Sequence, residues 1–102
     1  MALEVFFHPL AVEDLDAIDD FIARDSPAYA FAFVSRIRKR CESLAIFPMQ
    51  GRSRSDIGDA IRLLAFERRV VIAYSIDAKL VTIWRIVSAG QDLDDVLKDL
   101  SD

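Results

Sequence analysis

The chain is poor in the residues that usually carry chemistry. It has one cysteine, Cys41, and one histidine, His8. A single thiol forms no internal disulfide, and one Cys with one His is too little for a zinc cluster. Glycine and proline number three each, too few for linkers or low-complexity segments. No apolar stretch approaches the ~20 residues that cross a bilayer. The opening Met1-Ala2-Leu3-Glu4-Val5 lacks the basic region and apolar run of a signal peptide. These absences argue against disulfide-stapled, zinc-bound, disordered and membrane-spanning classes, imply no cofactor, and point to the cytoplasm.

What is present suits one globular domain over residues 1–102. The apolar fraction is 53%, with ten aromatic residues, and a chain of this length buries roughly 65% of its unfolded surface. The net charge of −4 is uneven. Residues 1–47 and 88–102 are acidic, whereas residues 48–87 carry seven basic and four acidic side chains. An acidic whole argues against broad or sequence-specific grip on nucleic acid. The basic middle leaves a local anionic contact open.

Leu3–Phe7 reads as a strand that His8-Pro9 ends. From Pro9 to about Arg24 the apolar residues Ala11, Leu15, Ile18 and Ile22 recur at helical steps. Ser26-Pro27 then supplies an N-cap and a first-turn proline. A second helix of about 20 residues, roughly 30 Å, is expected to run to Phe47, where Pro48 stops it. Its apolar stripe is Ala30, Phe33, Val34, Ile37, Cys41, Leu44 and Phe47. The short link makes the two helices an antiparallel hairpin, in which the acidic first helix is expected to pair with the basic second. After a polar loop at 48–55 come three strands, Ala60–Phe66, Arg69–Ile76 and Leu80–Val87, joined by short turns. The fold class is therefore α+β: an N-terminal strand, a helical hairpin, an antiparallel meander and a short C-terminal helix.

The turn positions set Arg62 opposite Ala73 and Val71 opposite Arg85. Alternation then puts Ile61, Leu63, Val70, Ile72, Tyr74, Leu80, Trp84 and Ile86 against the helices. Arg62, Leu64, Val71, Ala73, Ile83, Arg85 and Val87 form an open face, a candidate contact surface. Asp92–Leu100 is an amphipathic tail with Leu93, Val96, Leu97 and Leu100 at helical spacing.

In this order stand residues with a family resemblance. Phe7-His8-Pro9-Leu10-Ala11 with Asp14-Leu15 and Ile18 resembles the opening of ParE-type toxins. Pro48-Met49-Gln50-Gly51-Arg52 is similar to their Pro-x-x-Gly-Arg loop. Arg62 followed by Val71-Ile72-Ala73-Tyr74, then Val81–Ile86 and Asp92-Leu93, resembles the later strands and tail. The resemblance covers nearly the whole chain and implies the ParE/RelE toxin superfamily. It implies a cognate ParD-like antitoxin as partner, a possible homodimer or heterotetramer with that antitoxin, and either DNA gyrase or ribosome-bound mRNA as target.

RNA cleavage needs a base, an acid and cations around the phosphate. RelE-like proteins carry Ser-x-Gly-Lys-Arg after the last strand and a later tyrosine. Here the stretch is Ser88-Ala89-Gly90-Gln91-Asp92, both cations are replaced, and the tail has neither tyrosine nor histidine. No catalytic residue is therefore assigned, and gyrase inhibition by binding is the favoured reading. A RelE-like endonuclease and a non-toxic antitoxin-binding relic are the alternatives. His8 reads as a helix cap and Cys41 as a small core residue. Asp16 and Asp20 share a helix face, which is too little for a metal site. Arg36, Arg38, Lys39 and Arg40 read as a solvated face. The candidate partner-binding residues are Arg52 and Arg54 on the loop, Arg62 and Arg85 on the sheet, and Leu93, Val96 and Leu97 on the tail. Arg62 and Arg85 either pair with carboxylates or line a groove for an acidic or helical partner segment.

Overall fold

Two helices lie on one face of a five-stranded sheet and the C-terminal tail lies on the other. This arrangement comes from a computed structural model that describes residues 2–101; the first and last residues of the expected domain lie outside the described ones. In chain order the elements are β1 (Glu4–Phe7), α1 (Pro9–Ala23), α2 (Pro27–Ser43), a 3-10 turn (Pro48–Gln50) and β2 (Arg52–Ser53). There follow β3 (Ile61–Phe66), β4 (Val70–Asp77), β5 (Leu80–Ser88), α3 (Leu93–Leu97) and a closing 3-10 turn (Lys98–Ser101). The strand order is β1-β5-β4-β3-β2. The meander β3-β4-β5 is antiparallel as expected, while β1 joins β5 in parallel, so the sheet is mixed. Among the described residues no helix is long and apolar enough to cross a membrane.

The helix signals work locally. The His8 Nδ1 accepts the Leu10 N–H at 3.1 Å and Ser26 Oγ accepts the Tyr29 N–H at 3.1 Å, so each helix starts on a side-chain cap followed by proline. Ala11, Leu15 and Ile18 of α1 are buried against Phe33, Ile37, Cys41 and Leu44. The second helix is shorter than expected. It ends at Ser43, and Phe47 is 66% exposed rather than part of the stripe. Pro48 excludes helical geometry from the residue before it, so the chain must leave the helix earlier, and Phe47 sits at φ −121°, ψ 72°.

The sheet faces also differ from strict alternation. Arg62 pairs with Tyr74, not Ala73, and Val71 pairs with Val87, not Arg85. The β3–β4 loop has three residues rather than two, which shifts the first register by one. Between β4 and β5 the register jumps at Ala73/Tyr74, leaving Trp84 of β5 as the extra residue of a bulge. Leu64 and Ile83 consequently join Val70, Ile72, Tyr74 and Ile86 in the helix-side core. Ile61, Leu63 and Trp84 move to the opposite face with Val71, Ala73 and Val87. That face is not open: Ile57, Leu93, Val96, Leu97 and Leu100 cover it, and Leu97 is 1% exposed.

Candidate functional site

Two polar clasps gather most of the motif residues. In the first, the Tyr74 hydroxyl donates to the Pro48 carbonyl at 2.6 Å and accepts the Gly51 N–H at 2.8 Å. Arg62 Nε donates to the Gly51 carbonyl at 3.0 Å. A Cβ on Gly51 would lie 2.8 Å from both the Leu63 carbonyl oxygen and the Tyr74 ring, so only glycine allows this approach. The Pro-x-x-Gly-Arg loop is thus pinned flat to the sheet by the two residues of the facing pair Arg62–Tyr74.

The second clasp lies where β1 runs out. Past Ile83 the edge of β5 has no strand beside it, and the Asp14 carboxylate of α1 takes over. It accepts the Ile86 N–H at 2.9 Å and both Nε and Nη2 of Arg85, at 2.8 and 2.9 Å. Arg85 Nη1 continues to the Val96 carbonyl of α3 at 3.3 Å. The hydrogen bond Arg85 donates to Asp14, with the charge of that carboxylate, raises the Arg85 pKa above the ordinary value against the cost of burial. One bidentate pair therefore ties helix, sheet and tail together.

The sequence-predicted site residues are not one surface. Arg62 shares a face with Tyr74 and Arg85 shares the opposite face with Ala73, so they do not line a common groove. Arg54 pairs with Asp56 at 2.9 Å, and Arg52 is exposed. Leu93, Val96 and Leu97 pack beneath the tail as core. The expected pairing of acidic α1 with basic α2 is replaced by pairs to the sheet, Asp14 with Arg85 and Arg36 with Glu67.

A groove that the sequence did not reveal runs along α1 from Asp14 to Ile22. It holds about 500 Å³ between Ile18, Phe21 and Ile22 of α1, Phe33 of α2, and Val70 and Ile86 of the sheet. Arg68 and Arg69 form its cationic rim, with Ser88 and Gln91 beside them. Arg69 stacks over Phe33 at 4.9 Å and bonds the Tyr29 hydroxyl. Glu67 and Arg68 both hold left-handed backbone, φ 51° and 58°. Two non-glycine residues there cost roughly 1–2 kcal/mol each. The signal that could have marked this place is Phe21, an aromatic outside the buried stripe and 69% exposed.

The groups that carry acid–base and nucleophilic chemistry are tied into the fold. His8 and both tyrosine hydroxyls are engaged in structural bonds. Burial pushes the Cys41 thiol up to about 12. Gln91 Oε1 accepts the Ser88 N–H, and Asp92 caps α3 through the Asp95 N–H, so both act as turn and cap residues. Among the described residues no cluster of three or more His, Cys, Asp or Glu could hold a metal.

The comparisons agree with this geometry. A family profile described as ParE toxin of type II toxin-antitoxin system, parDE, matches residues 5–93. A solved structure, a chromosomal ParDE TA system from P. aeruginosa, is similar with a TM-score of 0.72 and 26% identity. The match covers 85% of this chain and 96% of that one. No curated protein matches. With the motif residues converging on two clasps of a matching fold, the chain belongs to the ParE toxin family of type II toxin–antitoxin systems.

Proposed function

We propose that this chain is a cytoplasmic toxin that arrests growth by binding DNA gyrase and trapping a DNA-cleavage state, and that a ParD-like antitoxin neutralises it. The toxin contributes contacts rather than chemistry. The carrying observation is the family match over residues 5–93 in a fold whose imidazole and phenols are all structurally engaged. A nuclease needs an acid–base pair at the scissile phosphate, and the replacement of two cations by Gln91 and Asp92 weighs against one.

The groove of α1 and the β3–β4 hairpin is the seat best suited to the antitoxin. Its apolar floor and arginine rim fit an amphipathic segment that carries carboxylates on one side.

The test is inducible expression of the chain alone and with its neighbouring gene, alongside a supercoiling assay on purified gyrase. Filamentous arrest relieved by the neighbour, with supercoiling inhibited, supports the reading. Arrest with rapid loss of translation and A-site mRNA cuts would replace it with an endonuclease. No arrest at confirmed soluble expression would leave an antitoxin-binding relic.

A further inference from the structure

We infer that loop 45–52 is a preformed knuckle that docks into an apolar, carboxylate-rimmed pocket of a folded protein; resting on the function proposed above, that protein is the toxin's target. Ile46, Phe47 and Met49 are 65%, 66% and 67% exposed within four residues of one another. Scattered exposed apolar residues are ordinary, but three in one short loop call for a partner.

The loop is held unusually well for a surface connection. Tyr74 and Arg62 grip Pro48 and Gly51 from the sheet. Gln50 bridges Arg40 Nε and Ser43 Oγ at 2.9 Å each. The Leu3 N–H reaches the Ala45 carbonyl at 2.9 Å. Every one of these bonds points inward, and the three largest apolar side chains point to solvent. A rigid projection of this kind loses little freedom on binding, so its contact area converts efficiently into affinity. A projecting knuckle needs a concave surface opposite, which a folded protein supplies and an extended antitoxin segment does not.

Charge narrows the occupant. Of the six basic side chains in residues 36–54, Arg36 and Arg54 are neutralised by Glu67 and Asp56, which leaves Arg38, Lys39, Arg40 and Arg52 against the single acidic Glu42 of that stretch. Arg52, exposed in the same loop, favours carboxylates around the receiving pocket. The knuckle is also distinct from the groove. The groove meets α2 at Phe33, whereas the loop follows the helix end at Ser43, about 15 Å further along at 1.5 Å per residue.

The deciding experiment uses the full chain with Ile46→Ser, Phe47→Ser and Met49→Ser together, and separately Arg52→Glu. Purified gyrase supercoiling, growth arrest, antitoxin affinity and thermal midpoint are measured for each. The inference expects the triple variant to lose about tenfold or more in inhibition, to abolish arrest, and to keep antitoxin binding and melting temperature. Arg52→Glu is expected to weaken inhibition and flatten its salt dependence. Unimpaired arrest by the triple variant overturns the inference. So does lost antitoxin binding with arrest intact, which makes the knuckle an antitoxin contact, or a dimer-to-monomer change with arrest intact, which makes it a self-contact. If the unaltered chain arrests growth without touching gyrase, the gyrase assignment alone falls, and growth arrest still judges the knuckle. An unaltered chain inactive in both assays overturns both.

Discussion

At the scale of the residue, Tyr74 shows how a single hydroxyl can fix a loop. Replacing it with Phe leaves the Gly51 N–H and the Pro48 carbonyl without their buried partner, a loss of about 1–3 kcal/mol. Urea denaturation is expected to show a lower midpoint for Tyr74→Phe, and a larger loss for Gly51→Ala, whose methyl meets backbone as well as ring. Cys41 gives a second prediction. Its thiol rises from an ordinary value of 9.0 to about 12 because burial penalises the thiolate. The folded state therefore favours the neutral thiol. Its contribution is fully present below pH 9, where the unfolded thiol is also protonated, and is lost as pH rises from 9 toward 12. The native protein is expected to resist thiol reagents at pH 8 and to react once unfolded; a fast native reaction would contradict the burial. The inert role of Cys41 and the capping role of His8 were legible in the sequence because helical period and proline position fix both. The Tyr74 clasp was not. Its partners lie more than twenty residues away, and a one-residue error in register turned Arg62 to the wrong face.

Elements show where such errors arise. Strand β3 is apolar at nearly every position, so alternation gives no unique inside face, and the turn decides the register. A three-residue turn with two left-handed residues is hard to anticipate at Glu67-Arg68, where glycine would be the usual occupant. Arg68→Gly is accordingly expected to raise thermal stability by roughly 1–2 kcal/mol, while weakening antitoxin binding because the groove rim loses a cation; calorimetry and titration would separate the two. Glu67 stands beside it with its carboxyl held below the usual range by hydrogen bonds from Arg36. Its stabilising share is present above the unfolded carboxyl pKa and is lost as pH falls through the depressed folded value. Glu67→Gln is expected to flatten that part of the acid unfolding curve. Between elements, the Asp14–Arg85 pair couples α1 to β5. With side chains 13% and 20% exposed, Asp14→Ala takes the carboxylate from Arg85 and the acceptor from the Ile86 N–H and is expected to cost about 2–4 kcal/mol. A double-mutant cycle with Arg85→Ala should recover much of that cost.

For the molecule as a whole, the element order and the helical hairpin could be read from period, caps and prolines. The groove could not, because it is assembled from the ends of α1, α2, β4 and β5, which only the folded chain brings together. The tail was read as amphipathic, and its docking follows from a second apolar face that needs cover. A Cβ on Gly58 would run into the Leu100 carbonyl, so the tail also fits closely against the loop before β3.

The parallel pairing of β1 with β5 has a further consequence during synthesis. Residues 4–7 emerge well before residues 80–83 and have no strand to join until those follow, some seventy residues later. Pairings so distant in sequence form late, because the intervening chain must first be brought to order. The edge of the sheet, and with it the anchoring of the loop at Ala45 by Leu3, is completed only once residues 80–83 are in place. A growing chain therefore carries an unfinished sheet edge, and a loop not yet held at Ala45, until that late pairing forms.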